Sequence, residues 1–136
     1  MPHISRFALV GLAACAATTP PPAPTAPPTP ITRTLLQHAD VAELPGWETR
    51  LYLIEYGPGV AAPLHHHPVV GIGYVLGGSF ASAFEGEAEV TVAAGAGFVD
   101  RALAPHTVFR NVDAARPLRF LIAYTVRKDA PVLETP

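Results

Sequence analysis

Pro58-Gly59-Val60-Ala61-Ala62-Pro63-Leu64-His65-His66-His67-Pro68, followed after two valines by Gly71-Ile72-Gly73-Tyr74-Val75-Leu76-Gly77, is the stretch that decides how this chain is read. Three of its six histidines stand here in a row. In extended backbone successive side chains point to opposite faces, so His65 and His67 share a side and His66 takes the other. Another imidazole, His106, follows Pro105 and opens the apolar run His106-Thr107-Val108-Phe109. Two same-face histidines and a distant third make the donor set with which a rigid β-scaffold holds a divalent metal and keeps coordination positions open. The competing reading is a tag-like run of surface histidines. Their place in mid-chain, between turn-bounded segments, argues against it.

Outward from this stretch the pattern is one of short strands. Glu48–Tyr56 is rich in β-branched and aromatic residues and predicts a strand, broken by Gly57-Pro58-Gly59. Leu64–His67 reads as a short strand stopped by Pro68, and Gly71–Leu76 as the next, closed by Gly77-Gly78. Ser79–Phe84 and Glu89–Ala93 flank the turn Glu85-Gly86-Glu87. Phe98–Asp100, His106–Val112 and Leu118–Val126 complete the series, the last two joined by a turn at Asp113–Pro117. For Leu35–Ala42 a strand and a helical turn both stay open. Short strands, Gly/Pro turns and the lack of a 3.6-residue period predict an all-β barrel or sandwich.

The first thirty residues are of another kind. Met1–Arg6 and the apolar run Phe7–Ala14 read as a signal peptide over residues 1–14, too short to span a bilayer as a helix. Leu12-Ala13-Ala14-Cys15 resembles a bacterial lipobox and contains the chain's one cysteine. That resemblance implies cleavage before Cys15, lipidation of Cys15 and anchoring to the membrane by acyl chains. Ala16 after it fits the periplasmic face of the outer membrane; the alternative is an ordinary secretory signal and a secreted or periplasmic protein. Thr18–Pro30 holds seven prolines in thirteen residues, a stretch that favours extended polyproline II. Residues 15–30 therefore read as lipidated cysteine and spacer, and residues 31–136 as one folded domain. With a single cysteine an internal disulfide is excluded, and a formal charge of −2 makes no case for nucleic acid.

Taken together, Pro58-Gly59, Pro63, His65, His67-Pro68, Gly73-Tyr74-Val75-Leu76, Ala94-Gly95, Phe98, Pro105-His106 and Asn111 resemble the two motifs of a small single-domain cupin. The resemblance covers most of residues 44–126. It implies an antiparallel jelly-roll barrel, metal ligands at His65, His67 and His106, and, by analogy, a homodimer. One departure stands out. Many cupins carry a metal-binding Glu three or four residues after the second histidine, where this chain has Gly71 and Ile72. Some instead place an acid before the loop leading to the last histidine, and Asp100 stands there. Three roles stay open for it: fourth metal ligand, hydrogen-bond partner of a ligand histidine, or ordinary loop carboxylate. The loop that follows has Arg101-Ala102-Leu103 where such cupins carry Pro-Gly.

Three neutral imidazoles suit Fe(II), Mn(II), Zn(II), Ni(II) or Cu(II). A metal-dependent dioxygenase or related oxidoreductase acting on a small organic molecule is the leading function that the resemblance implies. A non-catalytic, lipid-anchored binder of metal or small ligand is the second, and a sugar or keto-acid isomerase or lyase the third. Asp100 and Glu48 are the candidate general bases, and Tyr74 is a candidate substrate partner, although a barrel tyrosine more often fills core volume.

Overall fold

The structure, a computed structural model, describes residues 30–136. The signal segment, the lipobox ending at Cys15 and all but the last residue of the proline-rich spacer lie outside the described residues. From Thr32 the chain forms eight strands: β1 (Thr32–Asp40), β2 (Trp47–Tyr56), β3 (Gly71–Gly77), β4 (Ser79–Phe84), β5 (Val90–Ala93), β6 (Gly97–Asp100), β7 (His106–Asn111) and β8 (Leu118–Arg127). They divide into a five-stranded sheet of order β1-β2-β8-β3-β6 and a three-stranded sheet of order β5-β4-β7. Every pairing between these strands is antiparallel. This is the all-β double-sheet jelly roll that the sequence predicts.

Two segments needed the tertiary structure. The ambiguous Leu35–Ala42 stretch lies mostly in the edge strand β1, which runs from Thr32 opposite Glu55 to Asp40 opposite Glu48, with a bulge between Leu35 and Gln37. Its mixed pattern follows from its place at the edge, where one side lacks a partner. The strand predicted over Leu64–His67 is instead three isolated bridges to three different partners. Pro63 and Pro68 flank it, and neither has an N–H to extend a ladder.

The core lies between the sheets. On β8 the alternation is complete: Leu118, Phe120, Ile122, Tyr124 and Val126 are buried, while Arg119, Thr125 and Arg127 face solvent. Phe80 and Phe109 of the smaller sheet meet them, stacked on each other at 4.4 Å. Burying such a ring contributes roughly 1.5–3 kcal/mol. β3 carries glycine at two inward positions because rings from its neighbours lie over it. A Cβ at Gly73 would stand 2.3 Å from Phe98, and one at Gly71 2.4 Å from Tyr124. Buried Asn111 donates to the carbonyls of Gly57 (3.0 Å) and Arg116 (2.8 Å) and accepts from the Asp113 amide (3.0 Å). It thereby ties the β7–β8 turn to the start of the histidine-bearing connection.

Candidate metal centre

The β2–β3 connection brings its histidines against the β6–β7 loop. The His106 amide donates to the His65 carbonyl at 2.7 Å, and the Leu103 amide to the His67 carbonyl at 2.8 Å. Closing this second contact puts Leu103 at φ 60°, a left-handed conformation that a leucine adopts only at a cost of about 1–2 kcal/mol. On the other side the chain after β8 returns. His66 and Glu134 exchange both backbone hydrogen bonds, each at 2.9 Å. The His66 side chain points outward to the Glu134 carboxylate, 2.9 Å away. His65 and His67 point inward and are each 4% exposed; His106 is 1% exposed.

Each inward ring is held by its far nitrogen. His65 Nδ1 lies 2.8 Å from the Pro63 carbonyl, His67 Nδ1 2.7 Å from the Val132 carbonyl, and His106 Nε2 2.7 Å from Ser82 Oγ. A carbonyl oxygen only accepts, so the first two contacts put the proton on Nδ1 and leave Nε2 bare. With His106 donating to Ser82, its Nδ1 is bare as well. The rings offer one ligand atom each, all within 4.8 Å of one another. His67 Nε2 and His106 Nδ1 are buried with no hydrogen-bond partner. Two buried acceptors left unsatisfied side by side call for an occupant. The three residues fit a metal ion. Their protonation agrees: burial, with repulsion from His65 and His67, pushes His106 down to about 3, and burial lowers His65 against the pull of the Pro63 carbonyl. Neutral imidazole is the form that binds metal.

Asp100 joins them from β6 and is 5% exposed, so it is no ordinary loop carboxylate. Its Oδ2 lies 3.2 Å from His67 Nε2, and its Oδ1 3.7 Å from His106 Nδ1. The Tyr124 hydroxyl donates to Oδ2 at 3.1 Å. Gly71 pairs with Asp100 on one side and Tyr124 on the other, so the three form one rung across β6, β3 and β8. At the position where many cupins carry glutamate, the missing side chain leaves room for the Tyr124 ring, which stacks on His67 at 5.3 Å. The carboxylate comes from the neighbouring strand instead. Burial raises the Asp100 pKa, opposed by His67 and by the Tyr124 hydrogen bond. Burial, then Asp100, keeps the Tyr124 hydroxyl protonated and a donor.

Two candidates do not reach this cluster. Tyr74 sits on the outer face of the larger sheet, 49% exposed, because its neighbours Gly73 and Val75 take the inner side. Glu48 is outside the cluster of His65, His67 and His106 and is held by Arg50 Nε at 2.7 Å and His38 Nδ1 at 3.0 Å. The Arg50 hydrogen bond keeps its carboxyl below the usual carboxylate range. Arg50 also donates to the Ala130 carbonyl at 2.9 Å. The pair thus anchors the chain reversal that delivers Val132 to His67. Sequence reasoning missed Ser82 and Val132; the second acts through its carbonyl, which no residue pattern reveals. It also missed Arg33, an exposed residue whose place at the cavity mouth depends on the β1 register. A small cavity of about 30 Å³ lies beside His65 and His67, with Arg33, Tyr52 and Asp100 among its polar walls and Phe109 and Phe120 among its apolar ones.

Residues 52–124 match the family described as Cupin domain. No curated protein matches the sequence. Among solved structures the chain is similar to the DMSP lyase DddQ from Ruegeria pomeroyi DSS-3, with 23% identity and a TM-score of 0.53, over 61% of this chain and 41% of that one. It is similar to an oxalate oxidase in complex with the substrate analogue glycolate, with 23% identity and a TM-score of 0.56, over 76% of this chain and 54% of that one. It is also similar to KdgF from Halomonas sp., with 22% identity and a TM-score of 0.56, over 73% and 82%. The chain thus spans less than half the length of the DMSP lyase. At these identities the likeness is one of fold.

Proposed function

The chain belongs to the cupin domain family, and from that premise we propose that it is a metal-dependent enzyme acting on a small organic molecule, with His65, His67 and His106 as the metal's ligands. The observation that carries this reading is the pair of buried, unpartnered ring nitrogens on His67 and His106, next to a third imidazole. A bound divalent ion would supply a Lewis acid and open positions for oxygen, water or substrate. The chain's own groups do the rest. Pro63, Ser82 and Val132 orient the rings, Asp100 stands as a fourth donor, and the aromatic walls limit water.

An oxidoreductase of dioxygenase type is the first reading of the reaction, and an oxalate oxidase shares the fold. A lyase or isomerase is the second. It is favoured by the Tyr124–Asp100 hydrogen bond, which sets a proton donor and an acceptor inside the cavity, and a DMSP lyase shares the fold. The proposal includes the address read from the sequence: lipidation at Cys15, the proline-rich spacer, and residence on the periplasmic face of the outer membrane. The row of exposed apolar side chains Ile72, Tyr74 and Leu76 supports a homodimer.

Elemental analysis of the natively purified full chain tests the metal. Wild type should hold a single divalent ion per chain, His65→Ala and His106→Ala should lose it, and His66→Ala, whose ring points outward, should keep it. Equal retention or equal loss in all three variants would refute the ligand assignment. Oxygen uptake against diketones, flavonoids and hydroxylated aromatic acids then separates the reactions, since turnover without oxygen consumption favours the lyase or isomerase.

A further inference from the structure

One cation in the cavity wall is used neither by the fold nor by the proposed ligand set. Arg33 lies on β1 opposite Ile54, a buried residue of the inner face of β2. Its side chain lines the same cavity as His65, His67 and Asp100. The other described arginines have fixed partners. Arg50, Arg101, Arg110, Arg116 and Arg119 pair with carboxylates, and Arg127 lies over the Trp47 ring. Among the described residues Arg33 has no carboxylate within ion-pair reach. Arg33 is exposed, at the mouth of this largely apolar cavity. A guanidinium so placed, without a counter-ion, is a receptor for a planar anion, because its forked donors match a carboxylate.

We propose that Arg33 anchors the carboxylate of a small organic acid whose other end is presented to the histidine cluster. The competing explanation is an exposed charge that guards the edge strand against pairing with another chain. An edge guard needs no ligand and shows no preference among ligands. The proposal rests on the histidine cluster as the reactive centre, and the test separates the two.

The full chain is titrated with propanoate and with its uncharged isostere propanamide, with and without zinc, and binding is read from amide NMR shifts. Wild type should bind propanoate at least about tenfold more tightly, equal to about 1.4 kcal/mol. Arg33→Gln should erase that preference while zinc content and spectral dispersion stay unchanged. Arg33→Lys should keep part of it, and Arg110→Gln, a surface control, all of it. Equal binding of the two probes by wild type would overturn the assignment. So would a preference that survives Arg33→Gln, which would place the carboxylate on the zinc. If the chain takes up no zinc but the Arg33-dependent preference persists, the metal reading fails and the anchor stands.

Discussion

Gly71→Ala bears most directly on how the site is built. A Cβ at this position would stand 2.4 Å from Tyr124 Cε1 and 2.9 Å from both Tyr124 Cζ and Ile122 Cδ1, where ordinary contact begins at 3.4 Å. Tyr124 must then retreat by about 1 Å. It is not free to do so, being stacked on His67 and hydrogen-bonded to Asp100 at 3.1 Å. Overpacking of this kind costs about 1–3 kcal/mol, and a broken buried hydrogen bond about 1–3 kcal/mol more. Urea unfolding should therefore show a loss of about 2–6 kcal/mol. Because Tyr124 steadies both His67 and Asp100, metal affinity should fall by about 10–100-fold, the usual effect of losing a ligand's support. Two controls bracket the result. Gly73→Ala meets Phe98 at 2.3 Å and should cost comparable stability. It should spare metal affinity, because Phe98 packs on Phe80 and Phe120 instead of the histidines. Gly77→Ala meets nothing within 4 Å and should shift stability by less than about 1 kcal/mol. An unchanged unfolding midpoint and metal affinity in Gly71→Ala would refute the reasoning, as would an equal loss of metal in Gly73→Ala.

The metal-free chain should lose stability as pH falls below about 6.5, where unfolded histidine begins to bind protons. Burial holds His65 lower in the folded state, and His106 at about 3, so the unfolded chain binds more protons across that interval. The slope reaches at most about 1.4 kcal/mol per pH unit for each histidine. Asp100 has the opposite sign. Its pKa is raised on folding, so its contribution is complete below about 3.8 and is lost as pH rises through its folded value. Asp100→Asn should therefore steepen the acid limb, and a flat profile between pH 4 and 7 in both proteins would count against neutral, buried rings. Cys15→Ser, expressed with its signal segment in a bacterial host, should leave the membrane fraction and become soluble without detergent; unchanged membrane attachment would remove the lipid anchor.

The strand pattern was legible because half-buried antiparallel strands alternate and Gly/Pro turns punctuate them. β2 through β8 lie within a residue or two of where that pattern puts them. The shared side of His65 and His67 followed from backbone geometry alone, which holds even though the segment is a set of bridges and not a regular strand. Asp100 was visible as a candidate, but its burial and its distance to His67 were not. Those depend on Gly71, Asp100 and Tyr124 falling on one rung, and register between strands distant in the chain is a property of the assembled sheet. For the same reason Tyr74 and Glu48 could not be set aside in advance. Arg33 and the Val132 carbonyl could not be picked out either, since an edge strand has a weak pattern and a carbonyl has none. The sequence by itself determined which side chains can share a face and which chemistry they carry. Only the tertiary structure decided which of them meet, because that is settled by pairings between residues far apart along the chain.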